Sequence, residues 1–464
     1  MVIDLVFMRE KDVAVLGLGR TGLATARALA AAGANVAAWD DRLAARRAAK
    51  GAGIDIAAPN TAAWKRSATL VLSPGIPHTY PRPHPAVAAA RDQGMAVIGD
   101  VELFARAKGN ASCIAVTGTN GKSTTTALIG HIFAQAGRSV SLGGNLGRAV
   151  LDFDPLGPDG TYVVELSSYQ LELTKTASFD IAALINISAD HLDRHGGMSG
   201  YVAAKRRIFD NQTPRMAVVI GIDDAPCRRI HLGLVRGGHQ HIIPISACGV
   251  AAGGVYVIKG ILYDDIGGKA RPVLDVAEIS TLPGDHNWQN TAAAYAGARA
   301  AGLRPSVIAR AIRSYPGLPH RQERVAVIDG IGYVNDSKAT NADSARRALA
   351  CYGNIYWIAG GRAKEAELHL PRRLSRNVRH VFLIGEAAEP FSRSLNGRVA
   401  ISVCGTLKSA FAEAQRLASA EARPEPVVLL SPACASYDQF RDFEHRGETF
   451  RAFVTALPGR REAA

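Results

Sequence analysis

Cysteine is scarce in this sequence. Six cysteines occur among 464 residues, and no two of them form a C-x-x-C pair. Their wide spacing excludes a zinc cage built from paired cysteines and a disulfide framework of the kind found in small secreted domains. We therefore expect buried, reduced thiols in a cytoplasmic protein. The six are Cys113, Cys227, Cys248, Cys351, Cys404 and Cys434.

Long apolar runs and basic tracts are missing as well. Asp4, Arg9 and Glu10 interrupt the apolar residues of the N-terminus, a pattern that predicts neither a secretory signal peptide nor a membrane span. The formal net charge is +13, but the basic residues stand singly or in pairs such as Arg46-Arg47, and no basic tract is interleaved with aromatics. We expect no membrane and no nucleic-acid partner, and polyanionic small substrates instead.

A glycine-rich turn at residues 115–124, AVTGTNGKST, joins an apolar strand to a helix-compatible stretch. Glycines let backbone N–H groups face phosphate oxygens, and a helix N-terminus adds partial positive charge. Lys122 would reach the terminal phosphates, and the hydroxyl of Ser123 or Thr124 would sit on Mg²⁺. The turn is shorter than the common P-loop, because its first glycine is Gly118. It predicts nucleoside triphosphate binding; the alternative is a Gly-Lys-Ser turn without a ligand.

A second glycine turn lies near the N-terminus. The apolar strand Val13–Leu16 is followed by Gly17, Gly19 and Gly22 in the dinucleotide-binding spacing, and Asp40 stands about 20 residues further on, where a ribose-binding acid is expected. Alone, this pattern favours a nicotinamide-dependent oxidoreductase. We expect the residues before this strand to be a dispensable extension.

Apolar strands alternate with helical stretches along the whole chain, a pattern typical of parallel sheets covered on both faces. We predict an α/β fold of three domains. These are a Rossmann-like domain over residues 1–100, a central P-loop domain with a parallel, ATPase-like sheet over residues 101–317, and a C-terminal Rossmann-like α/β domain over residues 318–464. Short glycine-bounded runs between Gly249 and Leu282 predict a small antiparallel appendage.

Several polar residues after the phosphate loop admit two interpretations. Glu165 follows a β-rich run and would face the loop as a Mg²⁺ ligand, or it is simply solvated. His191 and His195 have a spacing that suits zinc, but the glutamate of the metalloprotease helix is missing, so a capping or core histidine is favoured on the residues alone. Lys205 has the surroundings of an ordinary amphipathic-helix lysine.

The last third of the chain has three polar loops at predicted strand ends, at residues 334–341, 360–364 and 431–440. They are rich in groups that bind ribose, phosphate and carboxylate, although polar turns have the same composition. Cys434 in the last loop lacks the signature of a nucleophile, and we expect it to have a packing role.

Taken together and in this order, the motifs resemble the bacterial Mur ligase family from Gly17 to about Gly447. The loop at residues 118–124 marks the wider superfamily, while residues 17–22, 335–341 and 431–440 are similar to its D-glutamate-adding branch. The resemblance implies that the N-terminal domain binds the UDP end of a substrate rather than a dinucleotide. It also implies that ATP converts the L-alanine carboxylate of UDP-N-acetylmuramoyl-L-alanine into an acyl phosphate, which the amine of D-glutamate attacks during peptidoglycan precursor synthesis.

The resemblance further implies the site residues and a monomeric enzyme. Residues implied to bind ATP are Gly118, Thr119, Asn120, Gly121, Lys122, Ser123, Thr124, Asn287, Asn290, Arg321, Asp336 and Lys338. Residues implied to line the UDP-substrate site are Gly19, Arg20, Thr21, Asp41, Arg42, Ser73, Gly75 and Asn145. Residues implied to place D-glutamate are Thr340, Lys364, Ser436 and Phe443. The catalytic residues would be Lys122, Glu165, His191 and Lys205, and Mg²⁺ would be held by Ser123, Glu165, His191 and, if carbamylated, Lys205.

Other functions fit the sequence less well. An oxidoreductase has no use for a second phosphate loop, and a nucleotide-binding switch needs no amino-acid pocket. Ligases that add other amino acids share the central loop, as does folylpolyglutamate synthase, which lacks an equivalent UDP-binding domain. Arg362 and Tyr437 depart from the residues expected at those positions of the family.

Overall fold

The structure, a computed structural model, describes residues 3–238, 240–363 and 367–462. The chain forms two compact units. One unit consists of Met1–Val276 with Trp288–Ser314, and the other of Ala277–Asn287 with Tyr315–Ala464. They contain three mostly parallel sheets flanked by helices, which confirms the predicted α/β class. The three domain boundaries stay a prediction. No helix within the described ranges has both the length and the apolar character needed to cross a membrane.

The first sheet has four parallel strands in the order β2-β1-β3-β4. Its glycine turn is required by packing, because a Cβ atom at Gly22 would lie 1.7 Å from the carbonyl oxygen of Gly17. Helix α1 can therefore start close against the end of β1. The elements are β1 (Asp12–Leu16), α1 (Arg20–Ala31), β2 (Asn35–Trp39), α2 (Leu43–Gly51), α3 (Ala62–Arg66), β3 (Thr69–Leu72), α4 (Pro85–Asp92) and β4 (Ala96–Ile98).

The residues before β1 belong to the hydrophobic core. Ile3, Leu5 and Met8 are buried and pack in the same cluster as Val13 and Val15 of β1. Burying side chains of this size stabilises the fold by about 1.5–3 kcal/mol each. The expectation of a dispensable extension is therefore wrong.

Helix α5 (Asp100–Ala107) leads from the first sheet into the second. The second sheet has nine strands in the order β13-β12-β11-β10-β9-β8-β5-β7-β6. Its elements are β5 (Ser112–Thr117), α6 (Lys122–Gln135), β6 (Val140–Gly144), β7 (Thr161–Glu165), α7 (Ser168–Glu172), β8 (Ile181–Leu184), α8 (Leu192–His195), α9 (Met198–Arg206), β9 (Ala217–Gly221), α10 (Ala225–Gly237), β10 (His241–Ser246), β11 (Val255–Ile258), β12 (Ile261–Asp264), β13 (Arg271–Asp275), α11 (Asp285–Ala300) and α12 (Pro305–Arg313).

The predicted antiparallel appendage is part of this sheet. Strands β11, β12 and β13 pair antiparallel with one another, but β11 also pairs parallel with β10. The segment therefore extends the central sheet at one edge rather than forming a separate body. The sequence pattern identified the antiparallel strands but not their partner, because the pairing with β10 involves only Ile245 and Ser246.

The third sheet has seven strands in the order β18-β17-β16-β19-β15-β14-β20, with antiparallel pairing confined to β15, β14 and β20. Polar loops follow β15, β16 and β19 at one edge of the parallel strands. The elements are β14 (Glu323–Ile328), β15 (Ile331–Asn335), α13 (Ala342–Leu349), β16 (Ile355–Gly360), α14 (Arg372–Ser375), β17 (Val378–Ile384), α15 (Ala388–Leu395), β18 (Ala400–Gly405), α16 (Leu407–Glu421), β19 (Val427–Leu430), α17 (Phe443–Thr455) and β20 (Arg461–Glu462).

Candidate active site

The phosphate loop has the geometry of an anion cradle. Strand β5 ends at Thr117 and α6 begins at Lys122, so four residues make the turn. Gly121 has φ +83°, and a Cβ atom there would lie 1.9 Å from the Asn290 side-chain oxygen. The Lys122 ammonium donates hydrogen bonds to the carbonyls of Gly118 and Thr119, both at 3.0 Å. A helix N-terminus and a lysine thus lie together where a polyphosphate is expected.

Residues distant in sequence fix the shape of this loop. The Thr119 hydroxyl lies 3.0 Å from the Tyr201 hydroxyl, and the backbone N–H of Asn120 donates to the Asn186 side chain at 2.9 Å. Asn186 in turn donates to Gln289 of α11 at 3.0 Å. Asn186, Tyr201 and Gln289 were missed by the sequence analysis, because nothing local shows that they meet the loop.

Glu165 ends β7 and is buried, with 1% of its surface exposed, so the alternative of a solvated carboxylate is wrong. One carboxylate oxygen accepts a 2.7 Å hydrogen bond from the Asn145 side chain, and the other, Oε2, is buried without a partner among the described residues. An unpartnered buried carboxylate oxygen is costly unless a cation or a proton satisfies it. This carboxylate therefore fits a divalent cation.

His191 stands at the N-terminal end of the short helix α8, with φ +52°, and its Nε2 lies 3.4 Å from a carboxylate oxygen of Asp190. Within the described residues no three histidine, cysteine or acidic side chains converge as a preformed metal cluster. A cation here would take ligands of other kinds, such as the Ser123 hydroxyl and phosphate oxygens.

Lys205 is not an ordinary amphipathic-helix lysine. Its side chain is buried, with the residue 1% exposed, and its ammonium nitrogen donates to the Gly118 carbonyl at 2.8 Å. Burial, reinforced by the charge of Lys122, lowers the pKa of Lys205 well below its ordinary value. The prediction of an unremarkable lysine failed because the interior of the sheet, and not the local helix pattern, surrounds this side chain.

All eight residues implied to bind the UDP end of a substrate line one cavity of about 780 Å³. The N-terminal end of α1 opens into it at Arg20, whose guanidinium donates to the Asn145 carbonyl at 3.3 Å. His84 lies 3.0 Å from the Asp41 carboxylate. The cavity therefore offers a helix N-terminus, guanidinium groups and hydroxyls to a diphosphate. His84, Tyr169 and Gln170 also line it and were missed by the sequence analysis.

Asp40, the expected ribose-binding acid, has a structural role. Its two carboxylate oxygens accept backbone N–H bonds from Leu18 at 2.7 Å and Arg42 at 2.9 Å. Burial alone would raise the pKa of Asp40, but the hydrogen bonds from Arg42 and Leu18 outweigh burial and lower it. The carboxylate thus connects the glycine turn to the end of β2. Because it is engaged in these bonds, the expected ribose-binding acid no longer supports a dinucleotide site.

In the second unit, the loop after β15 carries polar residues of the predicted ATP and D-glutamate sets. Asp336 accepts a 2.7 Å hydrogen bond from the Ser431 hydroxyl, and burial raises its pKa to about 7. The Lys338 ammonium lies 3.8 Å from the centre of the Phe443 ring. Ser436 is buried in the loop after β19.

Arg446, which the sequence analysis missed, ties the loops after β15 and β19 together. Its guanidinium donates to the Ser337 hydroxyl and carbonyl, each at 2.9 Å, and to the Cys434 carbonyl at 3.0 Å. Cys434 is buried and packs in the core, as expected. The expectation of buried thiols is wrong for Cys248, which is exposed, and for Cys351 and Cys404, which are half-buried.

The remaining predicted residues contribute less to this geometry. Asn287 donates to the Pro283 carbonyl at 2.8 Å, and the backbone N–H of Arg321 donates to Leu318. Lys364 lies outside the described residues. Of the two departures from the family pattern, Arg362 pairs with Glu386 at 2.9 Å and Tyr437 is 66% exposed.

Two family models match the chain. The model of the Mur ligase middle domain matches residues 116–298, and that of the Mur ligase MurD-like N-terminal domain matches residues 11–99. A protein of Paramagnetospirillum magneticum named UDP-N-acetylmuramoylalanine–D-glutamate ligase is 52% identical over 98% of this chain and 99% of its own length. A protein of the same name from Caulobacter vibrioides is 50% identical over 97% of this chain and 96% of its own.

Solved structures of the family share the fold at much lower identity. MurF from Acinetobacter baumannii superimposes with a TM-score of 0.59 and 18% identity over 98% of this chain and 92% of that one. UDP-N-acetylmuramate-alanine ligase MurC from Thermotoga maritima superimposes with a TM-score of 0.58 and 18% identity, over 96% of this chain and 99% of that one. The fold, the matched domains and the near-full-length identity agree: this chain belongs to the Mur ligase family, in its MurD-like branch.

Proposed function

We propose that this chain is an ATP-dependent ligase that joins D-glutamate to UDP-N-acetylmuramoyl-L-alanine in peptidoglycan precursor synthesis. The observation that carries the proposal is a sequence identity of 50–52%, over nearly the whole chain, to relatives that are named for this activity. The cavity of about 780 Å³ beside the glycine turn has the size and the cationic groups for a UDP-sugar.

The proposed reaction activates a carboxylate before it forms a peptide bond. The alanine carboxylate oxygen attacks the γ-phosphorus of ATP, ADP leaves, and an acyl phosphate forms. The neutral amine of D-glutamate then adds to the acyl carbon, and the tetrahedral intermediate loses inorganic phosphate and a proton. Lys122 and the backbone N–H groups at the start of α6 stabilise the charge on the transferring phosphoryl group.

Mg²⁺ fits the residues beside this loop. Glu165, with its unpartnered buried oxygen, and Ser123 are oxygen donors of the kind that Mg²⁺ prefers, and His191 and a carbamylated Lys205 would complete the set. The cation, when bound, neutralises phosphate charge. Asn145 holds the other Glu165 oxygen at 2.7 Å, which leaves Oε2 available to the cation.

The surroundings of Lys205 support the proposal that it is carbamylated. A neutral amine adds CO₂ and releases a proton to give an N-carboxylate, and burial favours the neutral amine because it lowers the pKa of Lys205. The modified side chain would carry one negative charge, beside Lys122 and the proposed cation.

The remaining ATP and D-glutamate residues lie on other elements. Asn290 of α11 contacts Gly121 of the loop and completes the nucleotide set of the first unit. Asn287, Arg321, Asp336 and Lys338 are the ATP residues of the second unit, and Thr340, Lys364, Ser436 and Phe443 are those for D-glutamate. The two carboxylates of D-glutamate account for the cationic and hydroxyl side chains in that set.

Phosphate release tests the substrate assignment. Purified protein with ATP, Mg²⁺ and UDP-N-acetylmuramoyl-L-alanine should release phosphate only when D-glutamate is added from a panel that includes L-glutamate, L-lysine and meso-diaminopimelate. Activity with one of the other amino acids and none with D-glutamate would refute the assignment while leaving the family membership intact.

A further inference from the structure

A line of polar contacts runs behind the UDP-substrate cavity. His195 Nε2 lies 3.0 Å from the Ser168 hydroxyl, and His195 Nδ1 lies 2.9 Å from one carboxylate oxygen of Glu172. The other Glu172 oxygen lies 3.5 Å from Nε2 of His78. The His195 side chain is fully buried, so these contacts hold its ring on both edges.

This serine, histidine and glutamate do not form a nucleophilic triad. A nucleophile must face a cavity that admits substrate, but Ser168 is buried and does not line the cavity that its neighbours Ser167 and Tyr169 line. The faces of the His195 ring are also covered, by Tyr169 at 5.2 Å in stacked geometry and by Tyr201 at 5.2 Å in tilted geometry. Ser168, His195 and Glu172 therefore hold neighbouring side chains in place, and none of them acts as a nucleophile.

One end of this line of contacts holds the loop Ser73–Pro77, all five residues of which line the cavity. His78 follows that loop directly and contacts Glu172. Arg194, the neighbour of His195 on α8, donates a 3.1 Å hydrogen bond to the carbonyl of Gly75, and its guanidinium lies 4.7 Å from the centre of the Tyr169 ring. Helix α8 and Glu172 thus anchor the cavity loop at two points.

The other end of the line reaches the phosphate loop. The Tyr201 ring that covers His195 carries its hydroxyl 3.0 Å from the Thr119 hydroxyl. The Thr119 hydroxyl also accepts the backbone N–H of Ser188 at 3.0 Å. Any shift of the His195 ring therefore changes the packing of the side chain that holds the phosphate loop.

We propose that His195 is a positioning residue that couples the two nucleotide pockets, so that a UDP-sugar in the cavity strengthens the binding of a nucleoside triphosphate at the phosphate loop. The inference rests on the proposed function for the identity of both ligands. A UDP-sugar that contacts the loop Ser73–Pro77 restrains it, and the contacts of Glu172, Arg194 and His195 transmit that restraint to Tyr201 and Thr119. Coupling between binding sites is reciprocal and is typically fivefold to about a hundredfold in affinity.

Calorimetry on the full chain measures this coupling directly. The affinity for a non-hydrolysable ATP analogue with Mg²⁺ is measured with and without saturating UDP-N-acetylmuramoyl-L-alanine, in the absence of D-glutamate. The test variant is His195→Phe, which keeps the ring stacking and removes both hydrogen bonds. The matched control is His380→Phe in the third sheet, where a histidine likewise bonds a serine hydroxyl, Ser402, at 2.9 Å and stacks on Phe382 at 4.7 Å.

We expect the UDP-sugar to tighten analogue binding about tenfold in the wild type and in His380→Phe, and less than twofold in His195→Phe. Each ligand alone should bind His195→Phe within about threefold of its wild-type affinity, a result that a general structural defect would not give. Glu172→Gln, at a partly exposed position, is expected to reduce the coupling in the same direction and replaces His195→Phe if that variant does not fold.

The inference is overturned if the wild type shows no coupling, or if His195→Phe and Glu172→Gln keep the wild-type coupling. These results differ from failure of the proposed function, in which the wild type binds no UDP-N-acetylmuramoyl-L-alanine at all.

Discussion

At the scale of single residues, the burial of Lys205 bears on its proposed carbamylation. Its amine lies against the phosphate loop, at 2.8 Å from the Gly118 carbonyl, in a setting that disfavours positive charge. A lysine kept cationic there would repel Lys122 and weaken the proposed cation site. Carbamylation, as proposed, would place a negative charge there instead and would remove both conflicts.

Lys205→Ala should lower kcat by about a hundredfold or more, the scale on which loss of one electrostatic group acts. Millimolar acetate or propionate should restore part of the activity, because a short carboxylate can occupy the space left by the carbamate. Turnover is measured by phosphate release, with the exposed Lys408→Ala on α16 as the control. Full activity of Lys205→Ala without any added acid would rule out this role.

Glu165→Gln tests the proposed cation ligand. The amide keeps an acceptor for Asn145 but removes the charge of the buried oxygen, so kcat should fall about a hundredfold while the affinity for UDP-N-acetylmuramoyl-L-alanine changes less than twofold. Calorimetry and phosphate release give the two quantities. Glu386→Gln, at an exposed ion pair, serves as the control. Near-normal turnover of Glu165→Gln would show that Glu165 is not a ligand.

At the scale of secondary-structure elements, one buried carboxylate connects helix α5 to a distant loop. Glu102 is fully buried and accepts backbone N–H bonds from Lys175, Thr176 and Ala177, the shortest of them 2.7 Å. Arg106 pairs with the same carboxylate, one turn along the helix. These contacts attach the connecting helix to the loop that follows α7.

Glu102→Gln should lower the free energy of unfolding at pH 7 by about 2–3 kcal/mol. Burial alone would raise the pKa of Glu102, but the hydrogen bonds from Thr176, Lys175 and Arg106 lower it to about 2, from an ordinary value of 4.5. Because the folded-state pKa is depressed, the stabilisation is present above pH 4.5 and is lost as the pH falls toward 2. Urea unfolding at several pH values measures this trend.

A difference between wild type and Glu102→Gln that stayed constant from pH 7 down to pH 3 would contradict the proposed role of the charge. An equal loss of stability in Glu425→Gln, on the exposed segment before β19, would point to a general effect of removing acidic groups instead.

The phosphate loop and the first glycine turn could be predicted from sequence because strand, glycines and helix are contiguous and local. The packing of Lys205, Asn186 and Tyr201 could not, because it arises where separate strands and helices meet. The antiparallel run after residue 249 was recognised as β structure, but its attachment to β10 depends on a short, nonlocal pairing. Asp40 shows a different kind of error. The dinucleotide-binding spacing is present, but the Asp40 carboxylate accepts backbone hydrogen bonds from Leu18 and Arg42 rather than serving as a free ribose-binding acid.

At the scale of the whole molecule, the residues proposed to bind ATP belong to both compact units. Asn290 and the phosphate loop lie in the first unit, while Asp336 and Lys338 lie in the second.

In the proposed reaction, ATP activates the alanine carboxylate for attack by D-glutamate. The most direct measurement uses UDP-N-acetylmuramoyl-L-alanine labelled with ¹⁸O in that carboxylate, together with ATP, Mg²⁺ and D-glutamate, and analyses both products by mass spectrometry. We expect one ¹⁸O atom in each released phosphate and a nucleotide product that has gained one glutamate residue. Unlabelled phosphate, or an unchanged UDP substrate after ATP is consumed, would contradict the proposed reaction.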